Sequence, residues 1–315
     1  MAPRPLIVRL RNWVGDVVLT VPALRLLQAH GYELELVGKG WAASLLAGEG
    51  WPVHARPRTL RARIAQLKAL GRAARAVDPD FDSRENALVL PPAFSAALEM
   101  RLAGLKAVGN ATEARSMLLK RALPAVREGH ELLRTWLLAC RFLRVDAEPP
   151  PAITLRTPAV DQDAADAMLA AQAVRPGFIV ICPFASGQVA KQDKAWPAFG
   201  DFSRALLERG RDVIACPGPG EEWIVAAQHP GVKRFDGVRL ATYGAILRRA
   251  ALMVSNDTGP AHLAAAVGAP ILSVLGPTDP AQWAPWGPTV ELVRSASGWP
   301  TVGEVLARVD ARLRP

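Results

Sequence analysis

The sequence predicts an α/β protein built from two doubly wound parallel-sheet domains, and three observations carry that expectation. The chain has 315 residues, which is long for one hydrophobic core and comfortable for two. Short apolar runs alternate with amphipathic stretches through both halves, the pattern of parallel strands separated by helices. Between the halves lies Glu148-Pro-Pro-Pro-Ala152, a rigid extended segment of the kind that joins domains. The expected domains are therefore residues 1–150 and 151–315.

The elements follow in order. Residues 6–10, Leu-Ile-Val-Arg-Leu, read as a buried strand. A polar turn over 11–15 leads into a helix from about 16 to 29, which Gly31 ends. Residues 33–37 alternate as a second strand. A helix near 42–46, a strand near Val53 and a long basic helix over about 60–76 come next. Residues 87–90 form another strand, stopped by Pro91-Pro92, with a helix after it and a further helix over about 131–143. Beyond the prolines, strands are expected at 178–182, 213–216, 252–255 and 271–275. Helices are expected at 198–208, 221–228, 242–249 and 261–267.

Composition narrows the function classes. Half of the residues are hydrophobic and 21% are charged, so the chain folds and is not a disordered segment. Cys140, Cys182 and Cys216 are scattered and odd in number, which suggests neither a disulfide framework nor a zinc site and fits a reducing compartment. The apolar start is too short for a signal peptide. The most apolar long window, 261–276, falls short of a membrane span. A soluble, cytoplasmic protein is expected.

The charge is unevenly placed. Residues 1–155 hold 22 Lys and Arg against 14 Asp and Glu, whereas 156–315 are nearly balanced. Between Trp51 and Val77 stand Arg56, Arg58, Arg61, Arg63, Lys68, Arg72 and Arg75 with no acidic residue. Such a stretch is either a solvated helix face or a surface that meets something anionic. Helix-turn-helix and zinc-finger spacings are missing and aromatic residues are few near it, so nucleic acid is not expected.

In doubly wound sheets, ligands bind at the carboxyl ends of the strands, and four such junctions carry polar residues. The first is Ser255-Asn-Asp-Thr-Gly-Pro-Ala-His262. Thr258 or Asp257 can cap the following helix and Pro260 suits its first turn. Gly259 lets a ligand approach the backbone, and the helix N-terminus attracts a phosphate. Capping accounts for one polar residue but not for Asp257, Thr258 and His262 together. The second is Trp13-Val-Gly-Asp16, where Asp16 is either a helix-start acid or a general base. The third joins Phe184-Ala-Ser-Gly187 to Lys194-Ala-Trp-Pro197, with Ser186 and Lys194 as phosphate contacts. It lacks P-loop spacing, and the first strand lacks the dinucleotide fingerprint. The fourth is Gly218-Pro-Gly-Glu-Glu222, where Glu221 or Glu222 serves a ribose or caps a helix.

Together these pieces resemble glycosyltransferase family 9, the ADP-heptose:lipopolysaccharide heptosyltransferases. The resemblance rests on residues 9–24 (RLRNWVGDVVLTVPAL), Lys194-Ala-Trp-Pro197, Ser255–His262 and Leu275-Gly-Pro-Thr-Asp-Pro280. Leu90-Pro-Pro-Ala-Phe-Ser95 also resembles a strand end of the family's heptosyltransferase II members, with proline where asparagine is common.

The resemblance implies a GT-B fold, in which two Rossmann-like domains face each other across a cleft. The N-terminal domain would bind the acceptor and the C-terminal domain the sugar nucleotide, with the last helix packing back on the first domain. It implies an inverting, metal-independent transferase with no cofactor and with ADP-heptose as donor. The acceptor would be the anionic, phosphorylated inner core of lipopolysaccharide at the inner leaflet of the inner membrane, met by Arg56, Arg58, Arg61 and Arg63. Asp16 would be the general base. Ser186, Lys194, Thr258 and Gly259 would hold the diphosphate, His262 would contact the phosphates or orient the loop, Asp257 would hold the sugar, and Glu222, with Glu221 nearly as good a match, the ribose. A monomer is expected. Three other functions fit the residues: a family member with another donor or a protein acceptor, a sugar-nucleotide hydrolase or epimerase, and a non-catalytic anion-binding protein.

Overall fold

The computed structural model describes residues 3–185, 188–189, 192–276, 278–296 and 298–314. The chain divides into two compact units, Met1–Pro150 and Pro151–Pro315.

The first unit begins with β1 (Pro5–Arg9), α1 (Val14–Ala29) and β2 (Glu33–Gly38). It continues through α2 (Ala42–Leu45), β3 (Val53–Ala55), α3 (Leu60–Val77), β4 (Ala87–Val89) and α4 (Phe94–Leu102). It closes with β5 (Ala107–Asn110), β6 (Arg121–Leu123) and α5 (Glu131–Leu143). The six strands pair in parallel in the order β3-β2-β1-β4-β5-β6. Strand β1 is buried along its whole length, as a central strand covered on both faces must be. Helix α1 is apolar on nearly every side, with Val17, Val18, Leu19, Val21 and Leu24 all buried. It lies against β2 on one side and α5 on another, which is why its sequence carries no polar face.

The second unit contains α6 (Ala159–Ala171), β7 (Ile179–Cys182), the short antiparallel pair β8 (Gln188–Val189) and β9 (Gln192–Asp193), and α7 (Phe199–Glu208). Then come β10 (Val213–Ala215), α8 (Glu222–Gln228), β11 (Lys233–Arg234), α9 (Leu240–Arg249) and β12 (Leu252–Asn256). The last elements are α10 (Gly259–Ala266), β13 (Ile271–Val274), α11 (Pro280–Trp283), β14 (Val290–Val293) and α12 (Val302–Leu313). Its parallel sheet runs β11-β10-β7-β12-β13-β14. Helix α12 packs on α7, β12 and β13 of its own unit, and the Thr301–Glu304 capping box starts it.

Both sheets share one winding. From a central strand the chain moves outward to one side, then returns to start the other side next to where it began. The reversal falls between β1 and β4 in the first unit and between β7 and β12 in the second. In open α/β sheets that switch point leaves a crevice at the carboxyl ends of the strands.

A glycine in the second unit is fixed by packing. A Cβ added at Gly276, just after β13, would overlap the indole of Trp299. Gly276→Ala is therefore expected to cost about 1–3 kcal/mol through overpacking, measured as a lowered denaturant midpoint with an unchanged slope.

Candidate functional site

Asp16 sits in the first turn of α1, at the switch point of the first sheet. Its side chain is 12% exposed. Arg11 Nε donates to Asp16 Oδ2 at 3.2 Å, and the same guanidinium reaches Glu131 Oε1 through Nη1 at 2.9 Å. Glu131 is the first residue of α5, and its other oxygen lies 3.3 Å from Arg134 Nη1. Burial raises the Glu131 carboxyl above the usual range, with Asp16 pushing the same way and Arg11 and Arg134 opposing. Asp16 Oδ1 takes no hydrogen bond among the described residues. One carboxylate oxygen is thus pinned by Arg11 and the other is not.

The basic stretch splits into two pairs. Arg56 Nη2 donates to Glu99 Oε1 at 2.7 Å, and Arg63 Nη1 donates to the same oxygen at 3.0 Å. Glu99 is 2% exposed. Arg9, itself buried, stands close enough that burial and the charge of Arg56 hold its pKa down to about 10. Two guanidiniums therefore hold one carboxylate and a third acts on it from nearby, an excess of positive charge at the carboxyl end of β1. Arg58 and Arg61, by contrast, are exposed. Removing Arg56 or Arg63 would take a partner from a buried carboxylate; removing Arg58 or Arg61 would not.

In the second unit the residues converge where β7 and β12 part. Lys194 Nζ lies 2.5 Å from Asp257 Oδ2, and Thr278 Oγ1 donates to that same oxygen at 3.0 Å. Asn256, fully buried at the end of β12, accepts from the Trp196 backbone N–H at 3.0 Å and donates to the Pro183 carbonyl at 2.7 Å. It ties the loop after β7 and the Lys194-Ala-Trp-Pro loop to one strand end. Trp196 completes the tie by donating from its indole to the Pro300 carbonyl at 2.9 Å.

Thr258 is the N-cap of α10, but its hydroxyl makes no cap hydrogen bond, and Asp257 is engaged elsewhere. Neither side chain is spent on the helix, so the first turn of α10, opened by Gly259 and Pro260, keeps donor capacity for an anion. His262 is buried one turn further on. After β10, Glu221 Oε2 accepts from the Gly218 N–H and Glu222 Oε2 from the Gly220 N–H, each at 2.8 Å. Both glutamates brace the turn, and each has a second oxygen for a ligand. Ser186 lies outside the described residues. No group of three or more His, Cys, Asp or Glu side chains converges to hold a metal among the described residues.

Sequence reasoning passed over Arg11, Glu99, Glu131 and Thr278. Thr278 stands in the Gly-Pro-Thr-Asp-Pro motif and could have been singled out there. Arg11 stands in the 9–24 motif, five residues before Asp16, and could have been singled out as well; the Glu99 and Glu131 pairings join distant segments, which no local pattern announces.

The family model for glycosyltransferase family 9 (heptosyltransferase) matches residues 78–305. That span holds the Lys194–Asp257 cluster and begins after Asp16 and the basic stretch. Over 312 residues the chain is 24% identical to lipopolysaccharide heptosyltransferase 2 of Escherichia coli K12, covering 91% of this chain and 87% of the relative. A 121-residue stretch is 33% identical to lipopolysaccharide heptosyltransferase 3 of Escherichia coli, covering 36% of this chain and 35% of the relative. The match thus spans about a third of that relative's length. The fold is that of the Escherichia coli ADP-heptose lipopolysaccharide heptosyltransferase II structure, with a TM-score of 0.79, 23% identity and 98% of each chain covered.

Proposed function

Because the chain belongs to glycosyltransferase family 9, we propose that it is an inverting, metal-independent heptosyltransferase. It moves a heptose from ADP-heptose to the phosphorylated inner core of lipopolysaccharide. In this reading the first unit binds the acceptor and the second the donor, and the enzyme works at the cytoplasmic face of the inner membrane without spanning it. No helix among the described residues is long and apolar enough to cross a membrane. The observation that carries the reading is the Lys194–Asp257–Thr278 cluster beside the start of α10, at the switch point of a sheet matched by the family model.

The chemistry follows from the residues. Asp16 Oδ1 accepts the proton of an acceptor hydroxyl as that oxygen attacks the anomeric carbon. The bond from that carbon to the diphosphate breaks, and ADP leaves with the electron pair. Attack from the face opposite the leaving group inverts the centre. Lys194, Thr258 and the N–H groups opening α10 stabilise the charge that develops on the diphosphate. Asp257 orients the sugar hydroxyls, and Glu221 or Glu222 takes the ribose. His262 braces the phosphate loop.

Calorimetric titration with ADP, UDP and GDP, with and without magnesium, tests the donor side. Selective, magnesium-independent binding of ADP is expected. Preference for another nucleotide overturns the donor; on incubation with ADP-heptose, release of free heptose without transfer would make the protein a hydrolase.

The acceptor side gives a separate expectation. Arg58→Glu and Arg61→Glu should weaken acceptor binding roughly three- to ten-fold at low salt, with the effect fading as salt rises and with stability unchanged. Arg63→Glu should lower stability as well, because it sets a second carboxylate beside buried Glu99. Unchanged acceptor binding in the Arg58 and Arg61 variants would return these residues to a solvated helix face.

A further inference from the structure

We infer that Glu131 is a positioning residue for Asp16, acting through Arg11. The inference rests on the reading of Asp16 as general base. It comes from a charge relay that joins three separate segments: the β1–α1 turn carries Arg11, α1 carries Asp16, and α5 carries Glu131 and Arg134. The packing of α5 on α1 brings the helix starts together.

Arg11 has two carboxylates to serve. Nε goes to Asp16 and Nη1 to Glu131. The side-on clasp that most lowers carboxylate basicity pairs Nε with Nη2, as Arg25 does on Glu49. On Asp16 Nε engages alone, and Glu131 anchors the guanidinium from its opposite end, Nη1. Asp16 is left with one pinned oxygen and one open oxygen. Glu131 is 7% exposed at its side chain and is held from behind by Arg134, so the arrangement is rigid. The charged groups facing the pair are Arg11, Arg134 and the two carboxylates themselves, with Arg115 the next cation beyond Arg11. Glu131 therefore does two things for a base: it holds in place the guanidinium that pins Asp16 Oδ2, and its negative charge offsets part of the cation that would weaken the base.

The test is the pH profile of kcat/KM for heptosyl transfer, with ADP-heptose and inner-core lipopolysaccharide lacking its heptoses. In Glu131→Gln one negative charge is gone and Arg11 acts on Asp16 unopposed. The acid limb of the profile should then move to lower pH, and the plateau rate should fall about three- to ten-fold because the base is weaker. Arg11→Ala should move the limb the opposite way, and Glu131→Asp should restore part of the plateau. ADP affinity should not change in any of them.

A role for Glu131 confined to the start of α5 would lower thermal stability and leave the limb in place, and that result overturns the inference. Should Glu131→Gln fail to fold, a limb that does not rise in Arg11→Ala overturns it equally. Asp16→Asn is measured in parallel. If it abolishes transfer while the Glu131→Gln limb coincides with wild type, the positioning role alone fails. If Asp16→Asn transfers normally, the base assignment fails and takes the positioning role with it.

Discussion

Asp16→Asn is expected to lower kcat for heptosyl transfer by about 10²- to 10⁴-fold, the usual contribution of a general base, while leaving ADP affinity unchanged. Asparagine has nearly the same shape as aspartate and keeps an oxygen for the Arg11 Nε contact at 3.2 Å, so α1 should start as before. What the variant loses is the capacity to accept a proton. The ADP contacts proposed above are on the second unit, so a fall in binding is not expected. The split between kcat and donor binding is the informative part, since a variant that lost both would have damaged more than proton transfer. Transfer within a few-fold of wild type would refute the base assignment, and Glu131, the other carboxylate on Arg11, would become the alternative base.

The sequence was most readable where local pattern and global fold agree. The apolar run at β1 and the Gly-Asp turn after it announced a buried strand running into a helix. The Asn-Asp-Thr-Gly-Pro run did the same for β12 and α10. The alternation of strands and helices was enough to expect candidate residues at strand ends; that these two strand ends lie at the switch points is a property of the strand order, which the pattern did not give.

The elements that escaped notice are mostly short: β5, β6, β8, β9, β11, β14 and α11. Strand β11 is the dipeptide Lys233-Arg234 and β6 the tripeptide Arg121-Ala-Leu123, too short and too polar for a period of two to register. Helix α6 escaped for another reason. Its buried acid, Asp161, reads as surface until Arg239, the N-cap of α9, and Thr242 of α9 are seen to donate to it at 2.8 and 2.7 Å.

The same applies inside the sites. Positions 56–63 read as one basic block. The fold separates them into Arg56 and Arg63, committed to Glu99 far along the chain, and Arg58 and Arg61, exposed. Charge counts give the field of a surface but not the partner of each charge.

The donor site yields a crossed pair of expectations. Lys194→Ala should weaken ADP binding by about ten- to a hundred-fold, the equivalent of a charged hydrogen bond worth roughly 1.5–3 kcal/mol. Asp257→Asn should leave ADP binding unchanged or make it tighter, yet weaken the intact sugar nucleotide and slow transfer. The reason is competition. Lys194 lies 2.5 Å from Asp257, so a diphosphate must draw the ammonium away from a carboxylate to use it. Neutralising Asp257 removes the competitor and one negative charge from beside Lys194, but it also removes the carboxylate that Thr278 holds in place and that is proposed to accept from the sugar hydroxyls.

Stability separates this from a purely structural pair. Lys194→Ala strands a buried carboxylate and should lower the melting temperature, as breaking one partner of a buried pair does. Lys194→Met combined with Asp257→Asn leaves no charge unpaired, so it should recover much of that stability without recovering ADP affinity. A double variant that regained both would make the pair a structural staple, because relieving the charge beneath the lysine cannot replace an ammonium that binds phosphate.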